Sequence, residues 1–378
     1  MMNPSQSNIL VPTTLGRHFA KQGRLARRVL RRLAGGFAFF SFASTAFAWG
    51  NEGHEIVAKI ANYYLTNMAR ASVSAILAND TSGLTATDMA SEATWADRYR
   101  IRHRDTGNWH FVDTEIGNGD IDSACNGHPP LPVNTPASAG PSTNCVVDKV
   151  NQFMSELNSS QTTDNERILA LQFLLHLVGD LHQPLHSSDN NDRGGNEKIA
   201  SASGMASGKL HAYWDTSFVK LLGSDADAIA TELIGNITTD QTSLWQSQTP
   251  RDWALEAFDL AKRDAYGRLP TPNSSGTYIL SSSYVAAAKQ DIALQLSRAG
   301  VRLAKLLNDA NLQPPVLPGG DIRSPFGGSA EVWVNTSTGV YHCNGDIYYG
   351  NTRRGTYMSE DDAKAKGYRG VGGKTCAA

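Results

Sequence analysis

The sequence predicts an all-α, compact multi-helix domain followed by a small α+β or β-rich module. Three observations carry this. Apolar residues between 49 and 311 recur at helical spacing, with little of the period-two alternation that announces a sheet. Residues 312–329 lose periodicity and fill with Pro and Gly, which reads as a linker. Beyond it, Glu331-Val332-Trp333-Val334-Asn335 and Gly339-Val340-Tyr341-His342-Cys343 read as two short strands around a turn, with a short helix starting near Ser359-Glu360-Asp361-Asp362-Ala363. The organisation is thus 1–48 leader, 49–311 helical domain, 312–329 linker and 330–378 appended module.

Residues 1–48 hold seven of the 34 Lys/Arg and no Asp or Glu, then the apolar run Gly35-Gly36-Phe37-Ala38-Phe39-Phe40-Ser41-Phe42-Ala43 and the small-residue end Ala46-Phe47-Ala48. This is the layout of a signal peptide, and the run is well short of the roughly 20 residues of a bilayer span. A secreted or periplasmic protein with no membrane anchor is expected, by the general or, through Arg27-Arg28 and Arg31-Arg32, the twin-arginine route. Without the leader, 27 basic residues face 36 acidic ones, a formal charge of −9. A protein that grips nucleic acid chiefly through Lys and Arg would carry a basic stripe, so phosphate binding here would depend on bound cations.

Within the domain, Ile56, Ile60, Tyr63 and Tyr64 form one helical stripe, and Ile168, Leu171, Leu174, Leu175 and Val178 a longer one that stops near Pro184. Further helices are predicted over 211–222, 225–237, 251–266 and 283–308. Four cysteines in an exported chain suggest two disulfides. Pairing Cys125 with Cys145 and Cys343 with Cys376 is the simplest of three connectivities, and none of the four has zinc-finger spacing.

His176-Leu-Val-Gly-Asp180 puts an imidazole and a carboxylate on one helix face, with His186 just past the Gln183-Pro184 helix stop. His211-Ala-Tyr-Trp-Asp215 repeats the spacing, and Asp97 and His110 lie between helices. Cleavage after Ala48 would give Trp49 a free α-amine, with His54 five residues on. Neutral imidazole and carboxylate are the donors zinc favours. His18, His103, His128, His182 and His342 show no comparable partners in sequence and read as leader, surface or structural residues.

On these residues the chain resembles the zinc-dependent single-strand nucleases of fungi, plants and bacteria, which share an all-helical fold with the bacterial zinc phospholipases C. The similarity covers about 49–311, and all nine ligand positions match: Trp49, His54, Asp97, His110, His176, Asp180, His186, His211 and Asp215. The resemblance implies three Zn2+ ions: one on Asp97, His110, His176 and Asp180; one on His186, His211 and Asp215; one on the Trp49 amine and carbonyl, His54 and a shared Asp180. It implies an endonuclease that hydrolyses single-stranded DNA and RNA to 5′-phosphate ends, with 3′-nucleotides as a further substrate and no stable protein partner. Asp97 and Arg100 would be catalytic. Phe111, Asp113 and Asn196 would form a base pocket, stacking on Phe111 requiring an unstacked base. The alternative is a zinc-dependent phospholipase C, but that group has Glu where this chain has Asp215 and lacks the Phe111, Asp113, Asn196 set.

Overall fold

The computed structural model describes residues 49–310, 312, 330–343, 346, 348–349, 352 and 354–376. The expected leader, and all of the expected linker but Leu312, lie outside the described residues.

The helical body opens with α1 (Asn51–Tyr64), α2 (Asn67–Leu77) and the short α3 (Met89–Glu92) and α4 (Trp95–Tyr99). A 3-10 stretch Arg104–His110 and α5 (Ile121–Ala124) lead to the long pair α6 (Val146–Asn158) and α7 (Asp164–Leu181). Then come β1 (Ile199–Ala202), β2 (Gly208–Lys209), the single turn α8 (Leu210–Ala212), α9 (Ala226–Asn236), α10 (Thr239–Gln246), α11 (Pro250–Leu260), β3 (Thr277–Leu280) and α12 (Ser282–Asp309). Among the described residues no helix is long and apolar enough to cross a membrane.

Helix α7 is the centre of this body. Thr163 caps it by accepting from the Glu166 amide at 3.3 Å. From Ala170 to Leu181 every residue is buried, so the stripe read from sequence is one side of a helix that is enclosed all round. That enclosure makes His176 and Asp180 interior groups. Two close approaches bring its partners in. A Cβ on Gly179 would lie 2.8 Å from His54 Nδ1, and one on Gly300 would lie 2.4 Å from Ile60. Glycine at these positions lets α1 slot between α7 and α12.

Two features depart from expectation. The helix predicted over 211–222 is broken into α8, a π turn Tyr213–Ser217 and a 3-10 turn Val219–Leu221. The Phe218 amide reaches back to Tyr213 O at 2.9 Å, and Tyr213, Trp214 and Phe218 are all buried; the wider turn accommodates this run of large rings. A small sheet of order β2-β1-β3 also sits in the helical domain. Its strands span two to four residues, too short for alternation to show. The predicted helix over 251–266 is present as α11 followed by a π turn Ala261–Tyr266.

The C-terminal residues form β4 (Glu331–Asn335), β5 (Val340–Cys343), β6 (Gly355–Ser359), α13 (Glu360–Ala365) and β7 (Arg369–Gly370), in a sheet of order β6-β4-β5-β7. Val332, Val334, Tyr341, Met358 and Ala363 make its own small core. Both disulfides follow the local pairing, Cys125–Cys145 and Cys343–Cys376, so the grouping of the first pair with His128 and Asp148 offers no thiolate for metal. Two histidines that seemed partnerless in sequence are paired by the fold: His128 lies 2.6 Å from Asp148 and 3.1 Å from Asp122, and His342 lies 3.3 Å from Asp346.

Candidate metal centre

Four chain segments meet around α7. Helix α1 brings His54, α4 brings Asp97, the end of the 3-10 stretch brings His110, and α7 supplies His176 and Asp180; all five are buried. His54, His176 and Asp180 form one three-donor group, and Asp97, His110 and His176 a second. Asp180 Oδ1 is 3.4 Å from His54 Nε2, and its Oδ2 is 2.8 Å from His110 Nδ1 and 3.3 Å from His176 Nε2. One carboxylate thus faces three imidazoles. The His54 and His176 rings stack with centroids 3.8 Å apart.

The third group is His186, His211 and Asp215. His186 ends the 3-10 turn Pro184–His186, which Gln183 caps through the Leu185 amide. His211 Nε2 lies 3.2 Å from Asp215 Oδ2, so the π turn still holds the pair in register.

Backbone carbonyls set the direction of the rings. His176 Nδ1 donates to Ala93 O at 2.7 Å, His186 Nδ1 to His110 O at 2.8 Å and His211 Nδ1 to Gly194 O at 2.6 Å. A carbonyl only accepts, so each Nδ1 carries a proton; burial keeps His186 and His211 neutral, so their Nε2 atoms present lone pairs, whereas the Asp180 and Asp97 carboxylates raise His176 against its burial. The Nε2 atoms of His186 and His211 then face one another at 3.2 Å with no proton between them. His54 Nδ1 and Nε2, both Asp97 oxygens, His110 Nε2, His176 Nε2 and Asp180 Oδ1 are buried without a hydrogen-bond partner. Such a concentration of buried polar atoms without hydrogen bonds is costly in a protein interior. A cation at the point where they converge removes the cost, so the donor set fits divalent metal.

The electrostatics agree. Burial, with His176 alongside, pulls His54 down to about 4; burial and then Arg100 pull His110 to about 4; burial and His186 pull His211 to about 3. These rings are neutral, the ligand form. Burial opposes the charge on Asp180, but His176, the hydrogen bond from His110 and the proximity of His54 overcome it and hold its carboxyl well below the usual range. Asp215 lacks such company, and burial pushes its carboxyl well above the usual range.

Trp49 stands one residue ahead of the Gly50 N-cap of α1. Its indole is fully buried, and Nε1 donates to Gly179 O at 2.7 Å. The Gly50 amide donates to Asp215 O at 2.8 Å. Residue 49 is therefore tied to the turn before Asp180.

A model of the family described as S1/P1 Nuclease matches residues 49–311. The chain belongs to the S1/P1 nuclease family. Endonuclease 4 of Arabidopsis thaliana is 30% identical over 282 residues, covering 70% of this chain and 89% of the relative. Endonuclease 2 of the same plant is 28% identical over 284 residues, covering 70% and 91%. Nuclease P1 of Penicillium citrinum is 29% identical over 282 residues, covering 69% and 97%. The protein is thus a nuclease, a hydrolase of phosphodiester bonds, and its helical body is the S1/P1 nuclease domain.

The remaining expected site residues of this S1/P1 nuclease domain lie on segments next to those that carry the donor groups. Arg100 Nη2 lies 3.0 Å from Asp97 Oδ1. Phe111 directly follows His110, and the next residues run beside 186–189: the Val112 amide donates to His186 O at 2.8 Å and the Asp189 amide to Thr114 O at 2.8 Å. Asp113 is exposed to solvent, yet the packed chain around it and the nearby Asp189 and Glu115 push its carboxyl up to about 6. Asn196 closes the loop whose Gly194 carbonyl orients His211; its Nδ2 donates to Arg193 O at 2.9 Å and its Oδ1 is buried without a partner. Gly194 and Gly195 take φ of 60° and 79° there, a bend glycine makes without strain.

One participant escaped the sequence reading. Gln183 donates from Nε2 to Asp215 Oδ1 while its Oε1 accepts from the Leu185 amide at 2.5 Å. In sequence it registers only as the residue before a helix-stopping proline.

Proposed function

We propose that the mature protein, beginning at Trp49, is an exported endonuclease that holds three zinc ions and hydrolyses single-stranded DNA and RNA to 5′-phosphate products, with 3′-nucleotides as a further substrate. The observation that carries this reading is the convergence of buried donor atoms on His54, Asp97, His110, His176 and Asp180, most of them without a hydrogen-bond partner, beside the facing Nε2 atoms of His186 and His211.

Asp97, His110, His176 and Asp180 would hold one ion, His186, His211 and Asp215 a second, and the Trp49 amine and carbonyl with His54 and Asp180 a third. Bound zinc lowers the pKa of water toward about 7 and stabilises charge on phosphoryl oxygens. Two carboxylates and a shared third then leave a net positive cavity in an acidic chain, which suits a phosphodiester. Arg100, beside Asp97, would hold a phosphate oxygen by a charge-assisted hydrogen bond, and Asp97 would orient the attacking water. Phe111 would stack the base next to the cleaved bond while Asp113 and Asn196 receive its edge. Stacking of this kind needs a base freed from its duplex neighbours. The two disulfides support export, because such bridges persist in oxidising compartments.

Turnover of single-stranded DNA against phosphatidylcholine tests the substrate class. Cleavage of the polynucleotide and not the lipid is expected; lipid cleavage alone would transfer the protein to the phospholipase reading.

A further inference from the structure

The connection between Asp97 and His110 carries more than two ligands. It reads Arg98-Tyr99-Arg100-Ile101-Arg102-His103-Arg104, four arginines in seven residues in a domain that is otherwise acidic. Arg98, Arg102, His103 and Arg104 are exposed. Among the described residues the guanidinium groups of Arg98, Arg102 and Arg104 have no hydrogen-bond or ion-pair partner; Asp105 is the one acidic residue next in the chain. Elsewhere on the surface Arg251 pairs with Asp122. These three are held out to solvent.

An aromatic column stands in the same turn. The His103 ring lies parallel to Tyr99 with centroids 3.8 Å apart, and Tyr99 stacks on buried Trp95 at 4.3 Å. Trp95 anchors the column in the core, and His103, which is exposed, is its outermost ring. Cations that track a backbone and a flat ring that receives a base are the two elements of sequence-tolerant single-strand binding. The turn links Asp97 to His110, so it begins and ends at residues of the metal centre.

We propose that residues 98–104 form a second contact surface for single-stranded nucleic acid, in which Arg98, Arg102 and Arg104 meet backbone phosphates outside the cleaved bond and His103 stacks an unpaired base. The assignment deepens the substrate reading above and rests on it. It makes the enzyme one that gains from long strands, since a dinucleotide is too short to reach both the centre and the turn.

The test compares hydrolysis of a single-stranded DNA of about 20 nucleotides with that of a dinucleoside monophosphate across a range of salt concentrations. The variants are the triple Arg98→Gln, Arg102→Gln, Arg104→Gln, the matching triple Lys variant, and His103→Ala. In the Gln triple, the slope of log kcat/KM against log salt on the long strand should become shallower by about 2, at roughly 0.7 per lost single-strand phosphate contact. Dinucleotide turnover should stay within about twofold of the parent, and the Lys triple should keep the parental slope because it keeps the charge. His103→Ala should raise KM for the long strand about tenfold, near the lower end for a base on an aromatic ring. An unchanged salt slope in the Gln triple overturns the proposal, and so does an equal loss on both substrates. Failure of the underlying substrate reading is separate: the parent enzyme would then cleave neither nucleic acid.

Discussion

Around Asp180, three imidazoles share one ionised carboxylate, with His54, His110 and His176 at 2.8 to 3.4 Å. Around Asp215, two imidazoles turn their lone pairs on each other at 3.2 Å, and burial drives the carboxyl toward its neutral form. The first end of the centre is partly matched in charge before any cation arrives; the second is repulsive until one does. They differ because Asp180 projects from the enclosed α7 into a ring of neighbours, whereas Asp215 sits on a π turn and accepts a side-chain hydrogen bond from Gln183. The comparison suggests that the two ends lose metal independently, and that the Asp215 end depends more on the residues that orient it.

The largest effect should follow from breaking the shared carboxylate. Asp180→Asn is expected to lower kcat by more than about a thousandfold and to remove more than one metal equivalent, because two of the three proposed ions use it. His211→Ala should lower kcat by more than about a hundredfold while removing a single equivalent. Metal analysis beside single-turnover kinetics on both variants decides the matter; an identical metal loss would merge the two ends.

A smaller effect is expected from Gln183→Leu. The side chain keeps its volume but Asp215 loses its amide donor, which should weaken metal affinity at that end by about tenfold and leave the Asp180 end loaded. Chelator titration of the variant against the parent provides the check, and unchanged affinity would remove Gln183 from the account.

The smallest effect concerns the floor under His176. Glu92 is fully buried, receives hydrogen bonds from Gln172 and Thr85, and burial raises its carboxyl to about 7. Its folded pKa exceeds the unfolded value, so the folded state holds the extra proton, and this group's contribution declines as pH rises from about 4.5 to about 7. Glu92→Gln cannot lose that proton. Relative to the parent it should gain stability across this window, by at most about 3 kcal/mol. Denaturant midpoints from pH 4.5 to pH 8 would show it; a difference that stays flat with pH would contradict the assignment.

How much of this was legible in the residues follows from what each feature depends on. His176 and Asp180 could be paired from spacing because α7 is regular, and His211 and Asp215 survived the break of their helix because the π turn keeps their side chains 3.2 Å apart. The capped start of α13 at Ser359 and the strands β4 and β5 fell where turn residues and short apolar runs put them. The orientation of the imidazoles was invisible, because Ala93, His110 and Gly194 act through backbone carbonyls, which any residue supplies. Gln183 was hidden for a related reason: its partner lies 32 positions away. The small β2-β1-β3 sheet leaves no pattern in strands this short, and the partners of His128 come from two helices, Asp122 from α5 and Asp148 from α6.

The central claim is that nine residues hold three cations once Trp49 is the first residue. Metal content measured on protein beginning at Trp49, and on the same chain with a two-residue extension ahead of it, tests this most directly. The account predicts three zinc equivalents and full nuclease activity in the first, and loss of one equivalent with most of the activity in the second. Full activity with no bound zinc, or equal metal content in both chains, would contradict it.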